Sequence, residues 1–132
     1  MTDPNSTVPD TATGIRLTQL IPVLRVFDEA KAREFYCGFL GFAVEFEHRY
    51  AADMPLYMGL SRSGIRVHLS EHHGDAAPGS AVRILMTGIE ALRDELLAKN
   101  YKYGRPGIVE QPWGKELTVH DPFGNRLHFQ EG

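Results

Sequence analysis

Residues 111–130 read QPWGKELTVHDPFGNRLHFQ, and this stretch carries the strongest structural signal in the chain. Apolar and polar residues alternate on both sides of Asp121–Asn125, which predicts two β-strands. Pro122 presets φ for a turn and Gly124 tolerates positive φ, so the residues between the strands form the reversal of a hairpin. Alternation then places five polar side chains on one face of this hairpin: Glu116, Thr118, His120, Arg126 and His128.

The second strand of this hairpin has an earlier copy in the chain. Residues 64–71 read GIRVHLSE and residues 124–131 read GNRLHFQE, so that His128 follows His68 by 60 residues. The same offset relates the strand-like residues 23–26 to residues 83–86. Each unit reads as strand, helix and three strands, and neither buries its apolar face alone. We therefore predict two modules, about 18–72 and 80–131, within a single domain of residues 15–132.

Each unit contains one amphipathic helix. In the first unit Asp28 is the expected N-cap, and Gly41 is expected to end the helix. In the second unit Thr87 and Glu90 have the spacing of a capping box. The apolar stripes at helical spacing are Ala32, Phe35, Tyr36 and Phe39 in the first helix, and Ile89, Leu92, Leu96 and Leu97 in the second.

Composition limits the possible partners. The chain has 132 residues, 42% of them hydrophobic, and a net charge of −3, which favours a cationic ligand and argues against nucleic acid. Residues 1–14 contain few large apolar side chains and predict a flexible tail. No secretion signal or membrane-spanning run is present, so we expect a cytoplasmic protein with no membrane partner. The single cysteine, Cys37, is expected to be a buried small hydrophobe rather than a nucleophile.

Several spaced elements resemble the vicinal oxygen chelate superfamily of glyoxalases, bleomycin-resistance proteins and extradiol dioxygenases. They are VFD at 26–28, FY at 35–36, LGF at 40–42 and DPFGN at 121–125. Within that superfamily, QPWG at 111–114 followed by Lys115 and Glu116 is similar to bleomycin-resistance proteins, which bind and sequester a glycopeptide drug. The resemblance covers about residues 18–131. It implies an α+β fold of two tandem βαβββ modules, with mixed sheets curled into a cup and helices on the convex side.

The resemblance and the alternation together give the expected ligand-binding residues. Trp113 either stacks on a planar ligand or caps the core, and the drug-binding resemblance favours stacking. For any one of the polar strand residues alone a solvated or internally paired side chain is the favoured interpretation, and only the set together indicates a ligand site. The residues expected in the cup are Arg66, His68, Trp113, Glu116, Thr118, His120, Arg126 and His128.

Enzymes of the superfamily hold a divalent metal, and the resemblance places the ligand positions at Ile21, His68, Ala81 and His128. Isoleucine and alanine cannot coordinate a metal, so we expect neither a cofactor nor an intact catalytic site. A weak metal site using both histidines with Glu116 remains an alternative. His72 and His73 are expected at the surface.

Two function classes are compatible with the sequence. The prediction is a metal-independent, bleomycin-resistance-type protein that confers antibiotic resistance by sequestering a planar or cationic glycopeptide-like drug. The alternative is a metal-dependent lyase, thiol transferase or dioxygenase with a displaced site. The resemblance also implies a homodimer, in which the first strand with Pro22 is exchanged with the partner or packed on it.

Overall fold

The computed structural model describes residues 12–132, so most of the predicted tail over residues 1–14 lies outside the described part. Two helices and eight strands follow one another in the order that the repeat predicts. Their bounds are β1 (Val23–Arg25), α1 (Glu29–Arg33) continuing as a π-helical turn (Glu34–Phe39), β2 (Ala43–His48), β3 (Tyr57–Arg62), β4 (Ile65–Ser70), β5 (Ala81–Leu85), α2 (Ile89–Ala98), β6 (Ile108–Gln111), β7 (Gly114–His120) and β8 (Arg126–Glu131).

The strands form two four-stranded sheets with the same internal order. The first is β1-β4-β3-β2 and the second is β5-β8-β7-β6, with a parallel pair at the start of each sheet and antiparallel pairs elsewhere. This confirms the α+β fold of two tandem βαβββ modules with mixed sheets. β1 is an edge strand, as Pro22 predicts, because proline cannot donate to a neighbouring strand. The two sheets stay separate and do not close into one.

One hydrophobic core lies between the helices and the inner sheet faces. Its buried side chains come from both modules and include Phe35 and Phe39 of the first helical segment and Leu96 of α2. Alternation assigned the inward strand residues correctly at Val67, Leu69, Leu117, Val119, Leu127 and Phe129. It was wrong at Ile65, which is 42% exposed because it lies at the start of β4, beside the turn after β3.

The two helices begin differently. Asp28 caps α1 as predicted, since its carboxylate accepts a 2.9 Å hydrogen bond from the backbone N–H of Lys31. The predicted Thr87–Glu90 capping box is wrong, because the N-cap of α2 is a glycine without a side-chain cap. Instead, the backbone N–H of Ile89 donates to the Glu131 carboxylate at 2.8 Å, so the start of α2 is capped by a residue distant in sequence.

A buried polar cluster ties the hairpin turn of the second module to the first module. The Tyr36 hydroxyl donates to the Asp121 carboxylate at 2.6 Å. The Asn125 side-chain amide donates at 2.8 Å to that carboxylate and to the Arg25 carbonyl. Burial, with the neighbouring carboxylate, raises the pKa of Tyr36 well above its usual range, so this hydroxyl stays a donor. The turn therefore joins the two modules as well as reversing the chain.

Two smaller sequence inferences also have a structural answer. Cys37 packs against the core, and burial raises the pKa of its thiol, which disfavours the reactive thiolate as expected. Neither helix within residues 12–132 is long and apolar enough to cross a membrane.

Candidate functional site

The outward face of the second sheet is organised around Glu116 of β7. Only 12% of its side chain is exposed, and one carboxylate oxygen accepts from Arg83 at 2.8 Å and from the Trp113 indole N–H at 2.9 Å. The hydrogen bond from Arg83, followed by that from Trp113, holds the pKa of Glu116 below its usual range. Glu116 is therefore held in one position and stays ionised.

Strand register brings two more predicted residues to this carboxylate. Thr118 lies opposite His128, and its hydroxyl is 2.7 Å from the His128 Nδ1 atom. The same Nδ1 atom is 3.5 Å from the second carboxylate oxygen of Glu116. Trp113, Glu116, Thr118 and His128 therefore lie together, as the sequence predicted. Arg83 was not predicted, although its position on β5 opposite His128 places it on this face.

Trp113 lies in the tight turn between β6 and β7, where Gln111 pairs with Gly114. Gly114 has φ of +133°, and a Cβ atom there would lie 2.5 Å from the backbone oxygen of Glu131, so only glycine fits. The turn presents the indole outward, and Trp113 is 50% exposed. This exposure answers the alternative in which the tryptophan caps the core. The indole N–H bond to Glu116 holds the ring beside this carboxylate.

On the outward face of the first sheet, aromatic rings contact the histidine. The Tyr57 hydroxyl lies 2.7 Å from the His68 Nδ1 atom, and the Phe46 ring contacts His68 edge-on at 5.1 Å between centroids. Burial lowers the pKa of His68. The Phe46 ring lies so close over Gly59 that a Cβ atom at Gly59 would be 2.2 Å from it. A glycine inside a strand often marks such a close approach, and this signal in LYMGL (56–60) was missed.

The remaining predicted residues are distributed more widely. Arg66 is on the first sheet, where it pairs with Glu45 at 3.1 Å. His120 and Arg126 lie opposite each other at the far end of the second sheet. Among residues 12–132, their side chains take no part in the Glu116 hydrogen bonds.

The strand register shows which residue lies opposite each histidine. Val23 lies opposite His68 and Arg83 opposite His128, two residues beyond the expected Ile21 and Ala81. Valine has no ligand atom, and the Arg83 guanidinium places a fixed positive charge beside His128 and Glu116. Within residues 12–132, no three His, Cys, Asp or Glu side chains are arranged to hold a metal ion.

With the fold and both sheet faces described, the chain can be compared with known proteins. A family model described as "Glyoxalase superfamily protein" matches residues 6–132. The chain belongs to the glyoxalase superfamily. A comparison with curated protein sequences found no match.

Solved structures of superfamily members include several antibiotic-binding proteins. The bleomycin-binding protein from bleomycin-producing Streptomyces verticillus, solved with copper(II)-bleomycin, is 31% identical over 89% of this chain and 98% of its own, with a TM-score of 0.67. The bleomycin resistance determinant encoded on transposon Tn5 is 20% identical over 88% and 98%, with a TM-score of 0.68. TnmS3, an antibiotic binding protein from Streptomyces sp. CB03234, is 17% identical over 84% and 92%, with a TM-score of 0.66. The latter two likenesses show the fold alone.

Proposed function

We propose that this glyoxalase-superfamily protein binds and sequesters a planar or cationic glycopeptide-like drug of the bleomycin type without a metal of its own. The observation that carries the proposal is the half-exposed Trp113 ring. A hydrogen bond from its indole N–H to the Glu116 carboxylate fixes this ring in place. The exposed indole suits a flat ring system, and the polar Glu116–Arg83 pair beside it suits the hydrogen-bonding parts of such a drug. The 31% identity to a bleomycin-binding protein supports this ligand class.

Metal independence is supported by the side chains around the two histidines. A catalytic zinc or similar ion needs about three protein ligands. Here the residue opposite His68 is Val23 on β1, and the residue opposite His128 is Arg83 on β5. Valine cannot coordinate a metal, and the Arg83 guanidinium repels a metal cation. We propose that Arg83 holds Glu116 in place for drug binding. A metal-dependent enzyme would need a metal-coordinating residue at this position instead.

We further propose that the protein is a homodimer. A groove of about 680 Å³ separates residues 18–22 and 64–67 from β5 residues 82–85. Its rim carries apolar side chains that are exposed to water in a single chain. Leu20 is 87% exposed and Leu85 is 71% exposed. Both β1 and β5 are edge strands with unpaired backbone groups. A second copy supplies matching apolar residues and edges, and a two-fold arrangement gives two equivalent binding grooves.

Ligand binding is tested most directly through Trp113, the only tryptophan in the chain. Titration with metal-free bleomycin should quench its fluorescence, and Trp113→Ala should weaken binding by about 1–3 kcal/mol as measured by calorimetry. Tyr103→Ala is the matched control, because this exposed aromatic lies in a different loop. At about 100 µM bleomycin, a micromolar binder stabilises the folded protein by about 2.7 kcal/mol. If bleomycin at that concentration neither quenches Trp113 fluorescence nor raises the melting temperature, the proposal is contradicted.

Metal content and assembly have separate tests. Elemental analysis of protein purified without chelator should find no stoichiometric Fe, Mn, Ni or Zn. About one tightly held ion per chain that is lost in His128→Ala would favour the metal-dependent alternative. Light scattering should give the mass of a dimer at micromolar concentration, and a stable monomer there would remove the proposed grooves.

A further inference from the structure

A second cavity lies where α1 meets the loop after α2, at the end of β7 away from Trp113. Its volume is about 350 Å³, near the lower end of the ~300–1,000 Å³ range of ligand pockets, and therefore suits a ligand of about one ring. The lining residues are Lys31, Phe35, Tyr101, Tyr103, His120, Asp121 and Pro122.

The walls of this cavity are mainly aromatic. Phe35 belongs to the core and is 2% exposed, whereas Tyr103 is 64% exposed. Tyr101 lies between them, with ring centroids 6.2 Å from Phe35 and 5.6 Å from Tyr103. It is also stacked on Phe39 at 4.8 Å, which fixes its orientation. The three rings form a preformed apolar surface against which a flat ring can pack edge-on or face-on.

The polar groups of the cavity favour a negative charge. Lys31 is exposed, and among residues 12–132 its ammonium group has no acidic partner. His120 is also exposed, and its ring forms no hydrogen bond with the described residues. Burial, followed by the charge of Glu34, raises the pKa of Tyr101, so its hydroxyl remains protonated and can donate.

The one carboxylate in the lining is already fully used. Asp121 is 6% exposed, and one of its oxygens accepts from the backbone N–H groups of Phe123 and Asn125, both at 2.8 Å. The other oxygen accepts from the Tyr36 hydroxyl and the Asn125 amide. Four donors therefore compensate this charge internally. Asp121 has no oxygen free to pair with Lys31 or with a cationic ligand.

We propose that this cavity is a second small-molecule site, separate from Trp113 and Glu116, that binds a single-ring aromatic carboxylate. The ring packs against Phe35, Tyr101 and Tyr103, and the carboxylate accepts hydrogen bonds from Lys31 at the cavity mouth, with His120 beside it. The site does not depend on the proposed drug binding, because it uses neither Trp113 nor Glu116.

Benzoate is the probe, and calorimetry on the full chain is the measurement. We expect saturable binding of one benzoate per chain, and no comparable binding of benzyl alcohol or benzylamine, which keep the ring but lack the negative charge. Lys31→Gln should weaken benzoate about tenfold, as expected for one charge-assisted hydrogen bond. Glu34→Gln should tighten it, because a repelling charge near Tyr101 is removed.

Arg105→Gln is the matched control, since it removes a positive charge from the loop that carries Tyr101 and Tyr103, and Arg105 does not line the cavity. It should leave benzoate binding unchanged, as should Trp113→Ala. The proposal is overturned if benzoate does not bind, if benzyl alcohol binds equally well, or if Lys31→Gln and Arg105→Gln have the same effect. A loss of benzoate binding in Trp113→Ala would place the anion beside Trp113 and also overturn the proposal. Lys31 is exposed, so its variant should fold, and circular dichroism checks this.

Discussion

The outward faces of the two modules share one backbone plan and carry opposite chemistry. In each module a histidine on the last strand has its Nδ1 atom 2.7 Å from a hydroxyl on the preceding strand, Tyr57 for His68 and Thr118 for His128. By strand register, Tyr57 occupies the position that Glu116 has in the second module. Gly59 likewise occupies the position of Thr118, directly opposite the histidine. The plan therefore fixes where the histidines lie, but not what surrounds them.

Aromatic rings contact the histidine of the first face, which also carries the Arg66–Glu45 pair, whereas the histidine of the second face lies beside the Glu116–Arg83 pair. Phe46 rests on Gly59 and contacts His68, while the second face has Arg83, Glu116 and Trp113 in one hydrogen-bonded set. After duplication the inward residues remain constrained by the common core, but the outward residues are free to diverge.

The largest expected effect tests whether both modules form one folding unit. Asn125 is fully buried and bonds Arg25 of the first module, Asp121 and the Ser80 backbone N–H, whereas its repeat equivalent, Ile65, is 42% exposed. Asn125→Ala should cost about 3 kcal/mol of unfolding free energy, because buried polar groups lose their partners. Ile65→Ala should cost about 1 kcal/mol or less.

Urea unfolding monitored by circular dichroism and by Trp113 fluorescence measures both variants. The two signals should coincide, because the modules share one core. A separate early transition in the Trp113 signal would show that the second module unfolds alone and would break the comparison of two faces on one unit.

The next effect concerns affinity for the proposed ligand. Glu116→Ala removes the acceptor of Arg83 and Trp113 and should weaken bleomycin binding by about 2 kcal/mol, or about 30-fold. The equivalent change in the first module, Tyr57→Phe, removes a hydroxyl but no charge and should cost less than about 1 kcal/mol. Calorimetry compares them. Equal losses would mean that the charge on the second face does not set the affinity.

The hairpin and the repeat were predictable because their signals are local or periodic. Alternation in residues 115–120 and 126–130 set both strands and their faces, and the match around His68 and His128 gave the second module. Asp28 was recognised as a cap because its partner, the Lys31 N–H, lies three residues away. The same reasoning failed at Thr87, since the start of α2 is bonded by Glu131 of β8, a contact that no local pattern encodes.

The candidate site shows the same division. Trp113, Glu116, Thr118 and His128 were grouped correctly because they belong to one hairpin. Arg83 was missed because its role depends on the parallel pairing of β5 with β8. The residues that this pairing brings together lie more than 40 positions apart in the sequence. Phe46 was missed because a β-bulge between Val44 and Phe46 shifts the alternation of β2.

A smaller effect tests how the aromatic face is built. Gly59→Ala would place a Cβ atom 2.2 Å from the Phe46 ring, so the ring has to leave the sheet and its contacts with His68 are lost. The expected cost is about 1 kcal/mol of unfolding free energy. Gly107→Ala is the matched control, because nothing lies within 4 Å of the added atom. If the two variants have the same stability, Phe46 does not pack on Gly59 in solution.

The smallest effect is a pH dependence that comes from the aromatic face. Burial lowers the pKa of His68 from its ordinary value of 6.5, so the folded state resists the proton that the unfolded chain accepts. The contribution of His68 to the free energy of unfolding is therefore complete above about pH 6.5, and it is lost as the pH falls through the lowered pKa of the folded state. His68→Gln should lose less stability than the wild type between about pH 7 and pH 5, as measured by urea unfolding. Tyr57→Phe keeps the ring buried and should retain the wild-type pH dependence. A flattened dependence in Tyr57→Phe would assign the effect to the hydroxyl contact instead of burial.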